Sequence, residues 1–91
     1  MVPARIQGEL EGALEHVEGL VVRLRAPKAF PPGQPLAFTL QCAGTELRYE
    51  ARSIGSKRRD DGAFELRARL INLRKEAREA LERLMTSVER G

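Results

Sequence analysis

Apolar residues alternate with polar ones along most of this chain up to Asn72, and beyond Asn72 they no longer do. Val2, Ala4, Ile6, Gly8 and Leu10 share one parity. Leu20, Val22 and Leu24 share a face, with Val21, Arg23 and Arg25 on the other. The pattern resumes at Leu36, Phe38, Leu40 and Cys42, at Leu47, Tyr49 and Ala51, and at Phe64, Leu66, Ala68 and Leu70. Period two predicts strands with one buried face. From Leu73 the apolar residues are Ala77, Ala80, Leu81, Leu84 and Val88, at steps of three and four that predict an amphipathic helix. Asn72 is placed to cap that helix, and Arg90 and Gly91 suit its end.

Short strands with one apolar face must close on themselves or pack on something else. The expected fold is therefore all-β with a terminal helix: a small antiparallel β-barrel of five or six strands over about residues 2–72, and a C-terminal α-helix over about 73–89 across one opening. The helix would pack through Leu73, Ala77, Leu81 and Leu84, with Met85 at its edge. Punctuation fits this reading. Pro-Pro-Gly at 31–33 lies in a loop, Ala43–Gly44 forms a tight turn, and "GSKRRDDG" joins two strands of an antiparallel hairpin. "LEHVEG", from Leu14 to Gly19, reads as a glycine-closed turn. Along the hairpin, Glu46, Arg48, Glu50 and Arg52 face Glu65, Arg67 and Arg69 outward, where opposite charges can pair across strands.

Ninety-one residues make one small domain, 1–91, that buries about 60–65% of its unfolded surface, enough for one core but not for a deep enclosed active site as well. Aromatics are 4%, so aliphatic side chains must fill that core. The net charge of +3 comes from sixteen bases, thirteen of them Arg, interleaved with thirteen acids. A nucleic-acid binder normally segregates its positive charge, so that class is disfavoured. One cysteine excludes an internal disulfide, and its place in an apolar alternation suits a buried, inert thiol. There is no signal-peptide core and no run of eighteen apolar residues; a cytoplasmic protein without a membrane partner is the expectation.

No residue set supports an enzyme. His16, the sole histidine, has no nucleophile or acid in useful register, and catalytic roles need mutual geometry. One His and one Cys far apart do not make a metal site, so neither metal nor cofactor is expected. Lys57, Arg58 and Arg59 form a basic knob that is either a solvated hairpin tip or a docking point for an acidic partner. Arg23 and Arg25 are either solvated strand arginines or a grip for an anion. If the helix outruns the barrel, its end near Met85–Val88 offers a surface for a second copy.

The order of parts is a turn closed by Gly19, then "LVVRL", "FPPGQPLAFTL", a charged strand, a loop ending in "DG", "FELRARLINL" and "KEAREALERLM". Over roughly Ile6 to Met85 this resembles the PilZ domain family. The resemblance implies a barrel with a terminal helix and a bacterial setting of motility or surface signalling. Members that bind cyclic di-GMP carry R-x-x-x-R before the first strand and D/N-x-S-x-x-G at the second. Guanidinium groups grip phosphates and stack on guanine, while Asp and Ser bond the base. Aligned on Gly19, "LEHVEG" puts Leu14 where Asp or Asn belongs and His16 where Ser belongs. Arg5 is followed four residues on by Glu9. The expectation is a degenerate PilZ-like adaptor that works through protein partners. The alternative is a cyclic di-GMP effector using Arg23, Arg25 and the arginines of the last hairpin.

Overall fold

The computed structural model describes residues 2–42 and 44–90, with side chains other than those of Cys42 and of 87–90. Six strands precede one helix: β1 (Val2–Ile6), β2 (Leu10–Glu18), β3 (Val21–Ala26), β4 (Pro35–Cys42), β5 (Thr45–Arg58), β6 (Phe64–Ile71) and α1 (Lys75–Arg90). They close into an antiparallel barrel in the order β1-β2-β3-β6-β5-β4, with β4 pairing back onto β1. The expected small barrel with a terminal helix is what the chain forms.

The alternation builds the core as expected at most positions. Val22, Leu24, Leu36, Phe38, Leu40, Tyr49, Ala51, Leu66, Ala68 and Leu70 are buried inside the barrel. Phe38 and Tyr49 face each other across β4 and β5 with rings stacked at 5.5 Å. Leu20 departs from its expected inward place. It lies in the turn between β2 and β3 and is exposed.

Two further departures concern the N-terminal half. The parity from Val2 to Leu10 is not one strand, because the chain reverses at Gln7–Glu9, where Gln7 and Gly8 both adopt positive φ. Gln7 is held there by β4: its N–H donates to the Ala37 carbonyl at 2.8 Å, and its Oε1 accepts the Ala37 N–H at 3.1 Å. "LEHVEG" is correspondingly not a turn, apart from its closing Gly19. It lies almost wholly in β2, paired with β1 on one side and β3 on the other.

β2 and β5 each carry a bulge. In β2 the register passes from Leu14↔Leu24 to His16↔Arg23, leaving Glu15 as the extra residue. In β5 it passes from Ser53↔Ala68 to Gly55↔Arg67, leaving Ile54 extra. A bulge resets which side of the strand faces inward. Leu14 and Val17, three apart, both turn to the core as a result.

The two barrel ends are closed differently. At the end holding the β1–β2 turn and the start of β4, Phe30 of the 27–34 loop is fully buried. Its N–H donates to Ser56 Oγ at 2.9 Å, and its carbonyl accepts from Ser53 Oγ at 3.0 Å. At the other end α1 packs through Leu81 and Met85, both buried, with Leu73, Ala77 and Leu84 half-buried beside them. The Tyr49 hydroxyl donates to the Ala77 carbonyl at 2.8 Å and ties barrel to helix, and burial pushes that phenol above its ordinary pKa.

Met85 is thus a core residue, not an edge one: it lies one helical turn beyond Leu81 and is buried in the same cluster. Val88 and the Cys42 thiol lie outside the described side chains. Asn72 is not the cap. It adopts φ 52°, donates to Glu50 Oε2 at 3.1 Å, and the first helical bond runs from the Arg78 N–H to the Arg74 carbonyl. Leu81→Ala should cost about 2–5 kcal/mol, the usual range for a leucine removed from a packed site. Urea unfolding measures it; a loss under about 0.5 kcal/mol would mean the site collapses freely or the helix is not seated.

Candidate functional site

The residues proposed from the nucleotide motif do not form a site. Leu14 is fully buried in the barrel core. His16 is half-buried on β2, next to the bulge and opposite Arg23. Gly19 sits in the β2–β3 turn at φ 59°, a conformation costly for residues with a Cβ. Arg5 lies on β1 and faces Glu11 across the strand pair. These four are spread over a strand interior, a strand face and a turn. Nothing in that set presents hydrogen-bonding groups to a common point.

The outer face of β2, β3 and β6 does gather charge. The bulge turns Glu15 outward, where its side chain keeps only 10% exposure. The hairpin tip between β5 and β6 folds over it. Arg59 Nη1 donates to Glu15 Oε2 at 2.7 Å, and Nη2 donates to Oε1 of the same carboxylate. Nη2 also lies 3.4 Å from Glu65 Oε1. Arg23 Nε stands 3.7 Å from Glu15 and 3.9 Å from Glu65, and Arg25 Nη2 meets Asp61 Oδ2 at 2.8 Å.

The tip itself is held by backbone contacts. The Arg59 N–H donates to the Ala63 carbonyl at 2.7 Å, and Asp61 Oδ1 accepts the Ala63 N–H at 3.0 Å. That second bond, with the neighbouring Arg25, holds the Asp61 carboxyl below its ordinary pKa.

Two candidate groups of the sequence thereby change character. Arg59 does not belong to a free basic knob; its side chain is 27% exposed and committed to Glu15, while Lys57 and Arg58 alone point to solvent. Arg25 is engaged by Asp61, whereas Arg23 approaches Glu15 and Glu65 only through its Nε, which makes no hydrogen bond to either. Sequence reasoning missed Glu15 because strict alternation gives no sign that the strand register slips there. The available signal was the Leu14–Val17 spacing, which breaks period two.

The bidentate Arg59 contact holds the Glu15 carboxyl below its ordinary pKa, with Arg23 and Arg25 adding to the pull against the desolvation of a mostly buried group. A carboxylate with a lowered folded pKa stabilises the fold above its unfolded value and loses that contribution as pH falls through the folded value. Arg59→Ala should therefore cost about 1–2 kcal/mol at neutral pH, since the cation keeps some solvent exposure. It should also move the acid-unfolding midpoint to higher pH, because Glu15 then takes up its proton earlier. Circular dichroism across a pH series reads both effects. An unchanged midpoint would mean that the Arg59–Glu15 contact contributes nothing.

Among the described residues no three His, Cys, Asp or Glu side chains are placed to hold a metal ion, and no helix is long and apolar enough to cross a membrane. No family model, curated protein or solved structure matches the chain.

Proposed function

We propose that this chain is a PilZ-like domain without the nucleotide grip, a non-catalytic adaptor that acts through protein partners. The burial of Leu14 carries the reading. A base edge needs a hydrogen-bonding group at that motif position, and here the position is part of the apolar interior. The pairing of Arg25 with Asp61 and of Arg59 with Glu15 supports the same view, since it engages two of the cations an unconventional phosphate site would use. The setting that follows from the resemblance is bacterial motility or surface signalling in the cytoplasm.

Thermal denaturation with cyclic di-GMP tests this. A ligand at one hundred times its Kd adds about 2.7 kcal/mol to stability. For a domain of this size that is a rise in Tm of roughly ten degrees or more. We expect no rise at about 1 mM nucleotide, the concentration that corresponds to a hundredfold excess over a 10 μM Kd. A rise of that size would show that the barrel binds the nucleotide.

A further inference from the structure

The outer face of β5 and β6 departs from the charge pairing that the sequence suggested. The register sets Arg52 directly opposite Arg69, and sets Arg67 opposite Arg23 on β3. Like charges directly opposed across strands are destabilising. Arg52 and Arg69 are both exposed, and among the described residues neither has a carboxylate within salt-bridge distance. Arg67 has only Glu65, at 3.9 Å, and shares that carboxylate with Arg59 and Arg23.

The β5 bulge places Ile54 on this same face at 49% exposure, one of two exposed large apolar side chains among the described residues. Beside it runs an open groove of about 370 Å³ lined by Ile54, Gly55, Ser56, Lys57, Glu65 and Arg67.

We infer that this face, centred on Arg52, Arg67 and Arg69 with Ile54 as an apolar anchor, docks an acidic segment of a partner protein. This deepens the adaptor reading and rests on it. Three observations select the occupant. Arg52 and Arg69, which lack a carboxylate, and Arg67, which shares one, call for further carboxylates, which guanidinium groups can grip with paired N–H donors. The barrel is closed, so no strand edge is free for a peptide to extend, and recognition falls to side chains. An exposed isoleucine over a groove suits an apolar side chain of a peptide and has nothing to offer a phosphate backbone, which favours protein over nucleic acid.

The test uses fluorescence anisotropy with three labelled probes of equal charge: a peptide of alternating Glu and Leu, an all-Glu peptide, and an oligothymidylate. The alternating peptide should bind best. Arg52→Ser/Arg67→Ser/Arg69→Ser should weaken it at least about tenfold, while Lys75→Ser/Arg78→Ser/Arg83→Ser on the helix, which removes the same charge, should change it less than about twofold. Ile54→Ser should weaken the alternating peptide and leave the all-Glu peptide unaffected. The single change Arg69→Glu covers the case in which the triple variant fails to fold. It turns a like pair into an opposite pair, so it should raise Tm while losing the peptide.

Equal losses from the two triple variants, tighter binding of the oligonucleotide, or no peptide binding would each overturn the docking surface. A cyclic di-GMP arm run beside them separates the levels of failure. Absent peptide binding with no nucleotide binding removes the surface alone, whereas saturable nucleotide binding removes the adaptor reading beneath it.

Discussion

Gly12→Ala is expected to destabilise the barrel by about 3 kcal/mol or more, the upper part of the range for overpacking a filled interior. A Cβ at residue 12 would lie 2.2 Å from the Arg25 carbonyl oxygen and 3.0 Å from Ile6 Cδ1. The nearer clash is with backbone, so no rotamer change relieves it. Either β2 and β3 must separate where Ala13 pairs with Arg25, or the β1–β2 ladder must shift at Ala4↔Gly12. Both routes break hydrogen bonds in a ring of strands that closes only if every pairing is made. Domains of this size hold about 0.05–0.15 kcal/mol per residue, so the loss is a large share of the total. Denaturant unfolding of the variant measures it. A cost below about 1 kcal/mol would mean that the strands accommodate the methyl, and that the close approach is not needed for closure.

Phe30→Ala should be of similar size, about 3–5 kcal/mol. Phe30 is among the largest fully buried side chains, though it belongs to a loop. Its removal leaves a cavity at one barrel end, and its backbone bonds the hydroxyls of buried Ser53 and half-buried Ser56. The backbone bonds can persist in the variant, so the loss should track the cavity. Phe30→Leu should consequently recover more than half of it, as volume-conserving exchanges do. Equal losses for Ala and Leu would instead point to the aromatic ring itself, over which the Lys28 ammonium sits at 5.6 Å.

What could be read from the sequence follows from how each element is specified. β4, β5 up to Ser53 and β6 announce themselves because one face is buried along an uninterrupted stretch, and the register then shows as period two. The helix shows because Leu81 and Leu84 repeat at helical spacing. The first reversal was hidden because Gly8 keeps the parity of Ile6 and Leu10, while the turn depends on positive φ at Gln7, which has no strong residue signature. β2 was misread because the bulge at Glu15 exchanges its faces partway along. Phe30 looked like a loop residue among prolines because its burial comes from tertiary closure, which no local pattern encodes.

The charged face was the least legible of all. Alternating signs along β5 and β6 suggested cross-strand pairing, but which residues meet depends on the bulge at Ile54 and on the position of the hairpin tip. The resulting register brings Arg52 against Arg69 and frees Arg59 to reach Glu15. Equally, the resemblance sets Leu14 against a hydrogen-bonding residue, but nothing in the sequence says that its side chain is sealed in the core. That burial turns a missing contact into an occupied position.

The most direct measurement is a calorimetric titration of about 50 μM protein with cyclic di-GMP, a concentration that resolves a micromolar Kd of about −8 kcal/mol. With Leu14 sealed in the core and Arg25 and Arg59 already paired, we expect no saturable heat. Saturation with a Kd below about 10 μM would contradict the proposed adaptor reading and make this barrel a nucleotide receptor.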